Sequence, residues 1–193
     1  QMRYGPRSMG SAGHEKVQRF LTAEIGAIFQ TAVTQSWNHL GGDGKNYALL
    51  PASQDHKRLL DGDRGPNTGG MGALCPVPLD ASFLAKIRTE VFDRALKGLA
   101  ADGLDFRGVL YAGLMITPDG PKVLEFNARL GDPEAQAVLP LLDADFLELC
   151  LACARGRLTV DSVRARPGAC VSVVIAAEGY PEAPKPGAAI TPA

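Results

Sequence analysis

The sequence predicts an α+β fold, a largely antiparallel sheet with helices packed against it. Three observations carry that prediction. Two strand-like runs, 106–116 and 122–127, are joined by Thr117-Pro-Asp-Gly120, with Pro and Gly where a type I turn favours them, so the runs fold back on each other as a hairpin. Upstream, Phe83, Ile87, Val91, Ala95 and Leu99 recur every fourth residue, the stripe of a long helix packed on one side. A further β-rich run spans 169–177.

Taken in order, residues 1–13 are Gly-, Ser- and Arg-rich and are expected to be an unstructured leader, followed by an amphipathic helix over 14–29. Trp37 and His39 follow without a usable pattern. Residues 41–44 (Gly-Gly-Asp-Gly) read as a turn and 46–52 as a strand. Ser53-Gln-Asp-His-Lys-Arg58 gathers a carboxylate, an imidazole and two cations directly after it; taken alone, it reads as a solvated strand end rather than a site. The stretch 61–72 is almost all turn-formers, with glycines at 62, 65, 69, 70 and 72 that let a backbone approach a ligand closely. Exposed N–H groups in such turns form anion-binding nests. It is neither a Walker loop nor a dinucleotide fingerprint.

Asp80 is the expected N-cap of the striped helix, which ends near Gly103. The run 106–116 is apolar nearly throughout, as a central strand is. On its returning partner, Glu125 and Asn127 alternate with Leu124 and Phe126, so the first two are expected on one face as hard oxygen ligands for a divalent ion. Asp132-Pro-Glu134 has the pattern of a helix start, with Asp as N-cap, Pro at the first helical position and Glu in the first turn. Free N–H groups there could hold an anion, with Arg129 at the corner. The same spacing also fits a solvated Glu, an Asn turn and an ordinary cap. Helices are expected over 135–142 and 145–154, the second stopped by Gly156.

Composition bounds the function. The chain has 193 residues, 46% of them hydrophobic, the content of a globular protein of one domain or slightly more. Twenty basic and 21 acidic residues are scattered and leave a net charge of −1. That charge offers no basic footprint for nucleic acid. No apolar run is long enough to span a bilayer, and no signal-peptide pattern opens the chain. Cys75, Cys150, Cys153 and Cys170 sit among apolar residues and are expected to be buried free thiols in a reducing, cytoplasmic compartment.

Five segments together resemble the ATP-grasp ligases and, within them, the glycinamide ribonucleotide synthetase (phosphoribosylamine–glycine ligase) family. They are Leu50-Pro-Ala-Ser-Gln-Asp-His-Lys-Arg58, Gly65-Pro-Asn-Thr-Gly-Gly-Met-Gly-Ala73, Tyr111-Ala-Gly-Leu-Met115, Leu124-Glu-Phe-Asn-Ala-Arg-Leu-Gly-Asp-Pro-Glu134 and Ala177-Glu-Gly-Tyr-Pro181. The resemblance implies an ATP-grasp-type partial domain. Residues 41–158 would be the second half of the ATP-grasp domain and 159–193 the start of a truncated C-terminal domain, with 1–40 unassigned. The implied reaction joins glycine to 5-phosphoribosylamine through a glycyl phosphate, with ATP converted to ADP and phosphate. Glu125 and Asn127 would hold Mg2+ or Mn2+, and Arg129 would stabilise charge during transfer. Asp55, Lys57, Asn67, Thr68, Gly69, Gly70, Gly72, Asp132, Pro133 and Glu134 would bind substrate. Small molecules are the implied partners, with no nucleic acid or membrane, in a monomer when full length. The alternatives are another ATP-grasp carboxylate–amine ligase, or a non-catalytic fragment that only binds metal or metabolite.

Overall fold

The structure, a computed structural model, describes residues 34–159 and 162–190, with 34–43 as backbone only. The expected leader and the 14–29 helix lie outside these residues. Strand β1 (Thr34–Asp43) runs through residues 41–43, where a turn was expected; the turn begins at Gly44. Ten paired positions against a long neighbouring strand keep that stretch extended. Then come β2 (Tyr47–Leu49), shorter than expected, β3 (Gln54–Asp55), β4 (Arg58–Leu60), β5 (Arg64–Asn67) and β6 (Gly72–Cys75). Half of the glycine-rich stretch is thus a β4–β5 hairpin, and 68–71 alone remain a loop.

The striped helix is α1 (Ala81–Ile87), a π-helical turn (Arg88–Phe92) and α2 (Asp93–Ala101). Asp80 caps it, its side chain accepting from Phe83 N. Strands β7 (Arg107–Thr117) and β8 (Gly120–Asn127) form the expected hairpin. The chain continues through α3 (Glu134–Val138), a 3-10 turn (Leu139–Leu141), α4 (Phe146–Arg155) and β9 (Cys170–Val173). Helix α4 starts one residue later than expected, with Asp145 as its cap accepting from Leu147 and Glu148 N–H, and Gly156 closes it as expected, in the left-handed region at φ 65°.

The main sheet has the order β2-β1-β7-β8, a second sheet the order β3-β6-β9, and every pairing among these strands is antiparallel. The α+β class with a largely antiparallel sheet is therefore what the chain adopts. Ile87, Val91 and Phe92 of the long helix pack on Leu49, Leu110, Ala112 and Leu114. Leu110, Ala112 and Leu114 are alternate residues of β7, so that face is covered by helix, and Tyr111 and Gly113 point to the other face. A second core joins Ala73 and Cys75 of β6 to Ala137, Val138 and Leu142 and also takes in Leu158 and Val163. The segment from 159 onward thus shares its core with the preceding chain. All four cysteines are free; burial pushes the Cys75 thiol up to about 12, while Cys150 is exposed, because its helix turns that side to solvent.

Candidate functional site

Alternation along β7 decides which face can carry chemistry. With one face under helix, the Tyr111–Gly113 face is left for polar groups. In the β7–β8 ladder Glu125 stands opposite Gly113 and Asn127 opposite Tyr111. Cross-strand partners share a face, so both oxygen ligands project on the Tyr111 side. A bulge is needed to put them there. Leu114 pairs with Val123 and Gly113 with Glu125, so Leu124 is the extra residue, and Val123 and Glu125 end on opposite faces although two apart. Phe126, opposite Ala112, faces the helix side as expected and is 44% exposed, because β8 is the edge strand.

Glu125 is exposed, and no hydrogen bond or ion pair engages it among the described residues; Asn127 is half-buried with an unpartnered Nδ2. No group of three His, Cys, Asp or Glu side chains that could enclose a metal occurs among the described residues. Two hard ligands on an open face fit magnesium, which usually takes one or two carboxylate-type ligands and completes its shell with water and substrate phosphates.

The polar cluster after β2 is not a solvated strand end. Ser53, Gln54 and Asp55 are buried, with Asp55 4% exposed. Pairing of β3 with β6 draws it inward, and Lys57 Nζ meets Asp55 Oδ2 at 2.9 Å. Burial raises the Asp55 pKa above the usual carboxylate value, an effect opposed by Lys57. The 68–71 loop lies against this pair. Gly70 adopts φ 135°, and a Cβ there would stand 2.5 Å from Pro133 Cδ and 2.9 Å from Asp55 Oδ1. Gly72 allows β9 to approach: a Cβ on it would sit 2.6 Å from Ser172 O.

The loop is not the expected nest of free N–H groups. Thr68 N donates to Lys57 O (2.7 Å), Gly69 N to Tyr180 Oη (3.0 Å), Gly70 N to Thr68 Oγ1 (3.0 Å) and Met71 N to His56 O (2.8 Å). The amides of residues 68–71 are thus each bonded to His56 or Lys57, to Thr68 or to Tyr180.

The helix start also differs from expectation. Pro133 occupies the cap position with no side-chain capping bond, and α3 has five residues. Asp132 accepts instead from Gln136 Nε2 at 2.6 Å. Glu134 turns inward, 1% exposed, because the Tyr111 hydroxyl donates to its Oε1 at 2.8 Å. Burial, then the charge of Asp55, raises the Glu134 pKa. Gly131 makes room: a Cβ there would lie 2.5 Å from Glu134 Oε2 and 2.7 Å from Tyr111 Cε2. Arg129 is exposed and donates from Nη1 to Leu130 O at 2.9 Å.

Asp55, Lys57, Gly70, Pro133 and Glu134 are therefore brought together, with Glu125 and Asn127 on the adjoining strand face. Asn67 closes the β4–β5 hairpin opposite Arg58. Tyr111 and Tyr180 were not singled out from sequence as site residues. Both lie inside motif segments, Tyr111-Ala-Gly-Leu-Met115 and Ala177-Glu-Gly-Tyr-Pro181, and that was the available signal. An apolar cavity of about 220 Å3, lined by Ala48, Leu50, Phe146 and Leu158 among others, shares no residue with this cluster.

The buried Glu134 makes a pH prediction. Its folded pKa is raised, so the folded state holds the proton more tightly than the unfolded chain. The associated stability is present below the ordinary carboxylate range and is lost as pH rises through the folded value. Glu134→Gln keeps an acceptor for Tyr111 and removes the titration. Denaturation midpoints should show the variant gaining on the parent as pH rises above the ordinary carboxylate range. A constant difference over that rise would contradict the assignment. Asp80, whose pKa is lowered by bonds from Ser82 and Phe83, contributes in the opposite direction and cancels in the comparison.

Comparison with known proteins gives a consistent picture. The family model "Phosphoribosylglycinamide synthetase, ATP-grasp (A) domain" matches residues 39–135. A phosphoribosylamine–glycine ligase of Leptospira interrogans is 46% identical over 179 residues, covering 91% of this chain and 40% of that protein. A trifunctional purine biosynthetic protein adenosine-3 of Drosophila pseudoobscura is 53% identical over 152 residues, covering 77% of this chain and 11% of the relative. The crystal structure of a phosphoribosylamine–glycine ligase from Thermotoga maritima superposes with a TM-score of 0.73 at 43% identity, over 80% of this chain and 39% of that one. An N5-carboxyaminoimidazole ribonucleotide synthetase from Thermotoga maritima shares the fold, with a TM-score of 0.51 at 16% identity over 76% of this chain and 35% of that one. The chain spans about two fifths of the length of the curated ligase from Leptospira.

Proposed function

The chain belongs to the phosphoribosylglycinamide synthetase ATP-grasp family, and on that premise we propose that it forms part of an ATP-dependent ligase joining glycine to 5-phosphoribosylamine in purine biosynthesis. The observation that carries the reading is the convergence of the Asp55–Lys57 pair, the 68–71 loop and Glu134 beside the face that bears Glu125 and Asn127. Phosphoryl transfer requires positioning and charge neutralisation more than covalent chemistry from the protein.

In this reading the glycine carboxylate takes the γ-phosphoryl group of ATP and releases ADP. The amine of 5-phosphoribosylamine then attacks the acyl carbon, and phosphate leaves. Glu125 and Asn127 would hold Mg2+ or Mn2+, which supplies neutralisation of phosphate charge when bound. Arg129, a planar guanidinium in solvent just beyond β8, would meet charge that develops during transfer. Lys57 and the loop residues Asn67, Thr68, Gly69, Gly70 and Gly72 would line the glycine and phosphoribosylamine side, and the Asp132–Glu134 corner would close its far wall. The division at 158 and 159 is proposed as one of family descent. No helix among the described residues is long and apolar enough to cross a membrane. We assign the reaction to the cytoplasm and to a monomer, with small molecules as partners.

The test is ADP release by the protein that carries this chain, dependent on glycine and 5-phosphoribosylamine together. Release with a different carboxylate–amine pair, and not with this one, would transfer the assignment to another ATP-grasp ligase. Equilibrium binding of ATP-Mg to the chain alone separates the ligase reading from a fragment that only holds metal or metabolite. Micromolar affinity supports the former and no detectable binding the latter.

A further inference from the structure

Tyr180 lies 111 positions from Gly69 in sequence, yet its hydroxyl oxygen accepts the Gly69 amide hydrogen at 3.0 Å. We propose that Tyr180 is a substrate-contacting residue, its hydroxyl hydrogen donated to an anionic oxygen, carboxylate or phosphate, held beside Lys57 at the 68–71 loop. The inference deepens the proposed ligase reading by naming the substrate group that this corner of the site takes.

The loop itself leaves few alternatives. With the amides of residues 68–71 all bonded within the protein, a negative group arriving there must be met by side chains. Two reach the same glycine from either side. Lys57 Nζ donates to Gly69 O at 3.2 Å, and Tyr180 Oη receives from Gly69 N. Gly69 is exposed, and a Cβ on it would stand 3.2 Å from Tyr180 Oη, so glycine keeps this approach open. Because the phenol oxygen already accepts, its own hydrogen is directed elsewhere, and no described residue takes it. Accepting one hydrogen bond also polarises the O–H and makes it a stronger donor.

The tyrosine is held for this position. Strand β9 pairs with β6, and Val174 N donates to Met71 O at 3.0 Å, which lays the C-terminal segment along the loop. Gly179 then turns at φ 84°, where a Cβ would be 2.3 Å from Ala183 O. Ala183 N to Gly179 O (2.8 Å), Lys185 N to Glu178 O (2.9 Å) and the Lys185–Glu178 ion pair (2.8 Å) close the turn. A ring kept half-exposed by such a turn leaves its hydroxyl hydrogen within reach of a ligand at the loop.

The experiment titrates the chain, and its Tyr180→Phe variant, with glycine and separately with ribose 5-phosphate, following the Gly69 amide by nitrogen-15 NMR. One probe is expected to shift the Gly69 signal and to bind the unsubstituted chain on the order of tenfold more tightly than the variant, as for a lost hydrogen bond to a charged group. A response to glycine assigns the anion as carboxylate, and one to ribose 5-phosphate assigns it as phosphate. Equal binding by both proteins, or no binding of either probe to the unsubstituted chain, overturns the proposal. A lower melting temperature with unchanged probe affinity also overturns it, since that is what a purely structural tyrosine gives. ATP-Mg affinity of the unsubstituted chain is read separately, so its absence counts against the ligase reading and not against the Tyr180 contact.

Discussion

Arg129→Ala in the complete ligase is expected to lower kcat on the order of a hundredfold, while the dissociation constant for ATP changes little. The Arg129 side chain is lightly engaged in the resting fold. It is exposed, and the hydrogen bond recorded for it runs to the carbonyl of its neighbour Leu130. A surface contact of that kind contributes little to stability, so truncation should leave the melting temperature nearly unchanged. Arg129 stands two residues past Asn127 and five before Glu134, between the face that bears Glu125 and Asn127 and the buried corner. In the proposed reaction a guanidinium there would act on charge that appears as the phosphoryl group moves. Interactions made in the transition state and not in the ground state fall on kcat. Turnover, ATP affinity and melting temperature measured on one preparation separate the cases. Normal turnover with a depressed melting point would sink the role in transfer.

Gly70→Ala should cost about 2–5 kcal/mol of folding stability, the sum of backbone strain at positive φ and overpacking. Gly70 sits at φ 135°, and the added carbon would press on the Pro133 ring and the Asp55 carboxylate together. Asp55 is buried and tied to Lys57, and Pro133 is fully buried, so neither can retreat cheaply. The natural control is Gly98→Ala in α2, where a Cβ would meet nothing within 4 Å. That exposed helical position should gain about 1 kcal/mol from the better helix former. Opposite signs in chemical denaturation are the expected result. Equal midpoints for the two variants would refute the close packing of loop, carboxylate and proline.

Much of the site was legible because it is local. Glu125 and Asn127 are two apart on a strand, and the 68–71 glycines and Asp55–Lys57 are short runs of unmistakable polarity among apolar neighbours. Long-range pairing was not legible. Nothing near Gly69 in sequence announces that Tyr180 will accept its amide, and nothing near Glu134 announces that Tyr111 will draw it inside. Each of those contacts depends on strands that meet only after the chain has folded, β6 with β9 and β7 with β8.

By itself, the sequence determined the α+β class, the Asp80 cap, the Gly156 stop and the β7–β8 hairpin. All of these follow from periodicity and turn chemistry within a few residues. Only the tertiary structure decided that Val123 leaves the face shared by Glu125 and Asn127. A strict period of two puts Val123 with Glu125, and the bulge at Leu124 separates them. It also decided that Asp132 would not cap α3, because Glu134 gains more from the Tyr111 hydroxyl inside than from solvent at a helix start. For Glu134 the physical reason is energetic. Local propensities are worth tenths of a kcal/mol per residue, whereas a buried polar group left without its partner costs about 1–3 kcal/mol, so pairing across the fold overrides pattern along the chain.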